Sequence, residues 1–200
     1  MEKFSLERAL SLESKYDDSL RTRPISPWLS KFVFYFSVIF AIYHYVTAGI
    51  GVPVDYWHMG AHISGVLILI FISFPAFKSS YDGDSPRKGI FSPLGVPFYD
   101  WALMIMGIAA SLYVGVTWYG FEINFFGFTY FIPEQVLRMG VPLPVDVVFG
   151  TLLIIVLLEA VRRTIGIIVP IIILIFIGYA VLGPHIPIQI LRHPGLSWSL

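Results

Sequence analysis

The sequence predicts an all-α integral membrane protein, a helical bundle of four to five transmembrane helices with its N-terminus in the cytoplasm. Three observations support this fold class: long uncharged apolar runs, an apolar composition, and basic residues gathered on one side of the predicted spans. Hydrophobic residues make up 56% of the chain and charged residues 13%, and the mean hydropathy is +0.78. A soluble helical protein would give each helix a polar face, and these runs have none.

Four apolar runs contain no Asp, Glu, Lys or Arg. They are Phe32–Ile50, Met59–Phe77, Trp101–Tyr119 and Ile165–Leu182. Each is long enough to cross the roughly 30 Å hydrocarbon core of a bilayer as a helix. A fifth run, Pro144–Val161, carries charge only at Asp146 near one end and Glu159 near the other.

The last two runs are predicted to form a tight helical hairpin, because residues 144–182 are too many for a single crossing. Glu159 precedes Arg162 and Arg163 by three and four residues, so it can pair with both on the helix surface. Both guanidinium groups are also placed to reach lipid phosphates. We therefore expect Glu159, Arg162 and Arg163 to fix the geometry of the hairpin and to contact lipid.

The basic residues predict the orientation. Eleven of the thirteen Lys and Arg residues fall within 3–31, 78–88 and 162–163. With five spans these segments lie on one side, which the positive-inside rule assigns to the cytoplasm. The C-terminus is then outside. Segment 1–27 mixes apolar and charged residues and is predicted to be a cytoplasmic amphipathic segment at the inner membrane surface.

Segment 120–144 differs from the apolar runs. Its charged residues and prolines argue against a span, and its many aromatic residues favour a position in the outer membrane interface. Pro133 at the start of the stretch 133–139 and Gly140 just after it fit a short helix there. Two roles are open for this segment: anchoring in the interface, and a platform for a partner outside. Its aromatic residues are Phe121, Phe125, Phe126, Phe128, Tyr130 and Phe131.

Three histidines, His44, His58 and His62, are predicted near the outer face. His58 and His62 lie four apart on one helical face and can share a metal ion, and with His44 they can indicate haem or a proton relay. The alternative is an aromatic interfacial belt with neighbouring Tyr and Trp residues. The belt is favoured, because no acidic ligand lies between the paired histidines and no inner histidine supplies a second axial pair.

Other chemistry is absent from the sequence. Asp100 and Asp146 lie at span ends, where they can reach water or cap a helix start. No Asp, Glu, Lys or Arg lies at the centre of a predicted span, which argues against a self-sufficient transporter and against a channel. There is no phosphate loop, catalytic triad, nucleic-acid patch or Cys. We predict no enzyme activity, no cofactor, no metal and no nucleic-acid partner.

Five short motifs carry a family resemblance. They are PFYDW at 97–101, RMGVP at 138–142, LEAVRRTIG at 158–166, GYAVLGPH at 178–185 and HPGLS at 193–197. With them the chain resembles the N-terminal, small-subunit-like portion of fused permeases of tripartite ATP-independent periplasmic (TRAP) transporters. The resemblance is most specific over the last third of the chain.

In that family a small four-span subunit is joined to a large transport subunit, and a periplasmic binding protein, often of the TAXI type in fused permeases, delivers the solute. The resemblance implies that 28–163 is the four-span domain, including the interfacial segment 120–144. It implies that 164–200 is the fifth, connecting span and a truncated start of the large permease portion.

The implied role is that of a scaffold in the uptake of an organic solute across a bacterial or archaeal cytoplasmic membrane. Its implied partners are the large permease portion or subunit, the binding protein and membrane lipids, and the chain is not expected to transport alone. The competing interpretation is a membrane-anchoring redox or haem-binding subunit that uses His44, His58 and His62.

Overall fold

The computed structural model describes residues 8, 22–52, 54–77, 92–138 and 140–198. Five helices are long and apolar enough to cross a membrane, as expected of a multi-pass membrane protein. They are α1 (Pro27–Ile50), α2 (Asp55–Ser73), α3 (Phe98–Thr117), α4 (Pro144–Thr164) and α5 (Ile168–Leu182), and the fifth candidate span continues from α5 through the 3₁₀ turn Gly183–His185. The prediction of a helical bundle with four to five transmembrane helices is therefore confirmed in its coarser part, since the chain is mostly helical and five of its helices are candidate membrane spans.

Successive helices run in opposite directions. The Arg23 amide, just before α1, donates to the Ser73 carbonyl at the end of α2 (2.8 Å). Asp100 at the start of α3 pairs with Arg163 at the end of α4. These contacts define one end of the bundle, called here the arginine end. The opposite end, where α3 finishes and α4 begins, is called the hairpin end.

Helices α2, α3 and α4 form the centre of the bundle, with α1 against α2 and α5 against α4. The buried apolar cluster lies in the half of the bundle nearer the arginine end. Most of the large apolar side chains of α1 and α5 remain exposed, as expected where lipid or another protein covers them. The cluster comprises Leu29, Leu67, Phe71, Ile72, Val96, Met104, Val156 and Ala160.

Small residues allow α2 and α3 to approach closely. A Cβ atom added at Gly60 would lie 2.8 Å from the Ser111 carbonyl oxygen, and one at Gly115 would lie 3.2 Å from the Tyr56 carbonyl oxygen. The hydroxyl groups of Ser64 and Ser111 are 2.7 Å apart and hydrogen-bond inside the interface. Close backbone approach and paired hydroxyl groups are typical of helix contacts in membranes.

Segment 120–144 contains a β-hairpin, which the all-α prediction did not include. Strands β1 (Phe121–Phe125) and β2 (Phe128–Ile132) pair antiparallel, with Phe125 opposite Phe128. The turn residues Phe126 and Gly127 have φ of 48° and 82°, the positive values of a two-residue type I′ turn. The predicted short helix at 133–139 is a single 3₁₀ turn, Gln135–Arg138.

The connection between α4 and α5 is the predicted tight turn. Helix α4 ends at Thr164 and α5 begins at Ile168. Gly166 between them has φ of 101°, a conformation that favours glycine. Most of the predicted amphipathic segment 1–27 and the basic loop 78–91 fall outside the described residues.

Candidate functional site: charged networks at the two ends of the bundle

Asp100 is the centre of a buried network at the arginine end. Its carboxylate is fully buried and accepts hydrogen bonds from two guanidinium groups. Arg163 donates from Nη1 at 2.6 Å, and Arg23 donates from Nη2 to the other carboxylate oxygen. Both arginines are themselves buried. Buried charges of opposite sign persist because each satisfies the other.

Glu159 extends the network along α4. Its carboxylate accepts from Arg163 Nε at 2.7 Å and from Arg162 Nε and Nη2 at 2.7 and 2.8 Å. The predicted pairing of Glu159 with both arginines is thus confirmed. Because Arg163 contacts both Glu159 and Asp100, it joins the end of α4 to the start of α3.

Carbonyl groups and aromatic rings complete the site. Arg23 donates to the Phe74 carbonyl at 2.8 Å, and Arg162 donates to the Ala76 carbonyl at 2.8 Å. Arg163 lies over the Phe71 ring, 4.7 Å from its centroid, as in a cation–π contact. The residues just after α2 therefore offer backbone carbonyls to two arginines, near the helix end where the dipole favours cations.

The helix dipoles also match the placement of the charges. Asp100 lies in the first turn of α3, and Arg162 and Arg163 lie in the last turn of α4. An acid at a helix start and a base at a helix end are each stabilised by the dipole. The network thus combines charge pairing with favourable helix ends.

Two predictions are wrong at this end. The Arg163 guanidinium does not face lipid phosphates, because its side chain is only 1% exposed and is bonded to Asp100 and Glu159. Asp100 neither reaches water nor caps α3, because it is buried between Arg23 and Arg163. Arg162 is 29% exposed. The feature of the sequence that could have indicated this site is Asp100, an acid at the start of an apolar span, together with Arg23 and Arg163, which flank other spans.

A second network lies at the hairpin end, around Asp146. Its carboxylate accepts from the Tyr113 hydroxyl at 2.6 Å and from the Leu143 amide at 2.7 Å, and it pairs with Arg138. Leu143 is the N-cap residue of α4, so the predicted capping role of Asp146 is confirmed. Arg138 also donates from Nε to the Pro133 carbonyl at 3.1 Å. Asp146 therefore joins α3, α4 and the segment after the hairpin.

The three histidines do come together, between α1 and α2. His62 Nδ1 and His44 Nε2 are 2.8 Å apart, and the His44 and His58 ring centroids are 5.4 Å apart. The Tyr43 hydroxyl lies 2.8 Å from His58 Nδ1. The other ring nitrogen of His44, Nδ1, lies 2.7 Å from the Phe40 carbonyl oxygen of the same helix. The imidazole rings thus bond to one another and to neighbouring groups.

Within the described ranges, no group of three or more His, Asp or Glu side chains has an arrangement that could hold a metal ion. The histidine cluster instead contains the ring contacts of an aromatic belt, since Phe40 stacks against His62 and packs edge-on against His44. The histidine cluster connects α1 to α2.

No protein-family model, curated protein or solved structure matches the chain. The functional interpretation therefore depends on the two networks, the histidine cluster and the membrane-compatible helices. Charges at the ends and apolar or small residues between them can stabilise a fixed bundle. They provide no titratable carboxylate or amine at the middle of the described helices for ion passage.

Proposed function

We propose that the chain is a membrane scaffold component of a TRAP-type secondary transporter that takes up an organic solute delivered by a periplasmic binding protein. In this role it braces a large permease portion or subunit and does not transport alone. The proposed location is a bacterial or archaeal cytoplasmic membrane, with the arginine end on the cytoplasmic side. The resemblance of the five motifs suggests the family.

The main support for the proposal is that a network of charged side chains fixes each end of the bundle. The Asp100 network ties the segment before α1 to α2, α3 and α4. The Asp146 network ties α3 and α4 at the opposite end. Between the two networks the contacts are apolar, apart from polar pairs such as Ser64 with Ser111. A bundle fixed at both ends is suited to remain still while a partner moves.

The outer surface supports the same role. The first and last helices expose apolar side chains such as Ile39, Tyr45, Ile168 and Phe176. These faces suit contact with lipid or with the apolar face of a larger membrane domain. The β-hairpin exposes Phe126 and Phe128 at the hairpin end of the bundle. These exposed rings are suited to membrane anchoring and to contact with a partner.

Reconstitution tests the scaffold proposal. The chain is placed in proteoliposomes alone, and separately together with a TRAP-type large permease and its binding protein. We expect solute uptake only from the complete set and co-purification of the chain with the permease. Uptake by the chain alone, or complete uptake with no association between the chain and the permease, would contradict the scaffold role.

A redox or haem-binding subunit is the second candidate, because His44, His58 and His62 meet at the hairpin end. Their rings are already bonded within the bundle, so haem ligation would require them to exchange these partners. An absorbance spectrum of the chain purified from membranes decides this candidate. A Soret band that is lost in His44→Ala would support haem binding, and its absence in the intact chain would dispose of it.

A further inference from the structure

The segment after α5 folds back over the bundle, and residues 186–198 are called here the strap. The Leu196 amide donates to the Ala180 carbonyl of α5 at 2.9 Å. The Trp198 indole N–H donates to the Thr151 hydroxyl of α4 at 2.9 Å. The strap therefore crosses from α5 to α4 and is held on both helices by hydrogen bonds.

The strap covers one side of a cavity between α4 and α5. The cavity has a volume of 440 Å³ and a mostly apolar surface. Its lining residues include Val147 and Ile154 of α4, Ile177 of α5, and Leu196 and Trp198 of the strap. Because the two strap side chains are 59% and 50% exposed, few buried contacts oppose the opening of the strap.

His193 holds the strap through both of its ring nitrogens. Nε2 lies 3.1 Å from the Tyr179 carbonyl oxygen, so this nitrogen must carry a hydrogen and donate it. Nδ1 lies 3.1 Å from the Gly195 amide nitrogen, which donates to it. The closed strap therefore requires a neutral imidazole with its hydrogen on Nε2, because only this form offers a donor and an acceptor at these two positions.

Two glycines make room for the imidazole. A Cβ atom added at Gly183, just after α5, would overlap the ring of His193. Gly195 has φ of 77°, a conformation that favours glycine, and in it the Gly195 amide points at the ring. The sequence motifs at 178–185 and 193–197 are therefore packed against each other, with the imidazole at their contact.

The surroundings of His193 do not favour a positive charge on its ring. Tyr179 of α5 faces the imidazole, with ring centroids 4.7 Å apart. His185 lies in the 3₁₀ turn after α5, and Arg192 directly precedes His193 in the strap. Asp146 of α4 lines the cavity but is engaged in the network at the hairpin end. In the described part of the chain, no carboxylate pairs with His193.

We propose that His193 is a pH-sensitive latch for the strap. With a neutral imidazole the strap stays closed over the cavity. When Nδ1 takes up a proton from solvent it becomes a donor facing the Gly195 amide, so this hydrogen bond is lost and the strap opens. Acid therefore favours the open strap. In the orientation proposed above the strap lies on the outer side, and the latch does not depend on the scaffold function.

A spin label on the strap tests the latch. The chain contains no Cys, so Leu196→Cys gives a single labelling site and keeps the backbone amide at this position. Electron paramagnetic resonance in lipid nanodiscs compares the label at about pH 8 and about pH 5, the range in which histidine side chains ordinarily change charge. We expect the immobile component to dominate at the higher pH and the mobile component at the lower pH. Equal spectra would overturn the proposal.

A substitution at His193 assigns the response to this residue. An asparagine side chain can accept from the backbone amide two residues further on, as His193 Nδ1 does, but it does not titrate. In His193→Asn we therefore expect the same label mobility at both pH values. His185→Gln is the control and should keep the full response to pH. A full response in His193→Asn, or its loss in His185→Gln, would overturn the assignment.

A pair of glycine variants tests the packing of the latch and changes no titratable group. Gly183→Ala places a methyl group where the His193 ring lies, whereas Gly178→Ala in α5 meets open space. We expect a mobile label at both pH values in Gly183→Ala and the unaltered response in Gly178→Ala. Thermal unfolding in detergent first checks that each variant is folded. An immobile label in folded Gly183→Ala would overturn the proposal, and this pair still decides if His193→Asn does not fold.

Discussion

Asp100 is the residue on which the arginine end most depends. Its carboxylate lies between the guanidinium groups of Arg23 and Arg163, all three of them buried. In such a site the loss of one partner leaves another charge without compensation in a medium of low polarity. Single substitutions are therefore more damaging here than the removal of an exposed pair.

Asp100→Asn is expected to lower the free energy of unfolding by about 3–5 kcal/mol, because two buried guanidinium groups then share a neutral amide. Unfolding of the purified chain in detergent measures the change. Asp55→Asn is the matched control, since Asp55 also lies in the first turn of a spanning helix but is exposed. Similar losses in the two variants would show that burial of the Asp100 network is not the cause.

Arg162 and Arg163 offer a second comparison. The two are neighbours in α4, but the Arg163 side chain is 1% exposed and the Arg162 side chain 29%. Arg163→Gln should destabilise the chain by several kcal/mol, and Arg162→Gln by about 1 kcal/mol. The same unfolding assay measures both. A larger effect of Arg162→Gln would place the important lipid or protein contact at Arg162 instead.

The His44–His62 hydrogen bond predicts a dependence on pH. One ring nitrogen must accept from the other, so protonation of both rings breaks the bond and places two cations together. His58 and Tyr43 lie beside the pair, and the exposed Asp55 lies one turn before His58 in α2. Acid should therefore loosen the contact between α1 and α2.

Hydrogen exchange of α1 measures this loss. After correction for the intrinsic slowing of amide exchange in acid, we expect lower protection near His44 at low pH in the unaltered chain, and a weaker dependence on pH in His62→Gln. His185→Gln is the control, because His185 lies after α5 in another part of the chain. Protection near His44 that does not change with pH would contradict the role of the pair in holding α1.

At the scale of elements, the close contact between α2 and α3 depends on glycine, which has no side chain, at Gly60. Gly60→Ala would place a methyl group 2.8 Å from the Ser111 carbonyl oxygen, so the helices must separate. The expected loss in the free energy of unfolding is about 1–3 kcal/mol. Gly178→Ala has open space and should be neutral or slightly stabilising, because Ala favours helix more than Gly. Equal effects in the unfolding assay would refute the packing argument.

The hairpin shows why one element was missed. Its first strand, Phe121–Phe125, alternates apolar residues with Glu122 and Asn124, the pattern of a strand. The turn, however, is Phe126-Gly127 and not the Asn-Gly or Asp-Gly dipeptide that usually marks a type I′ turn. The aromatic content indicated an interface, but only the pairing of the two strands shows the hairpin.

At the scale of the whole molecule, the alternating helices predict that the two ends of the chain lie on opposite sides of the membrane. With five crossings, the positive-inside rule predicts that the basic arginine end and the N-terminus are in the cytoplasm and the C-terminus is outside. Protease treatment of right-side-out vesicles should remove a C-terminal tag and leave an N-terminal tag intact. Removal of both tags, or of neither, would exclude five crossings.

The sequence by itself predicted four to five long apolar helices and their approximate positions, because an uncharged run of sufficient length is a local property. It also determined the pairing of Glu159 with Arg162 and Arg163, since these residues lie within one helical turn. The capping of α4 by Asp146 is local for the same reason.

Only the tertiary structure decided which charges are buried together. Arg23, Asp100 and Arg163 are separated by 77 and 63 positions along the chain, and no local pattern relates residues on different helices. The meeting of His44 with His62, and of Tyr113 with Asp146, likewise depends on how the helices pack. Long-range pairing is set by how helix surfaces pack in three dimensions, and the sequence of one helix does not identify the residues on its partner helix.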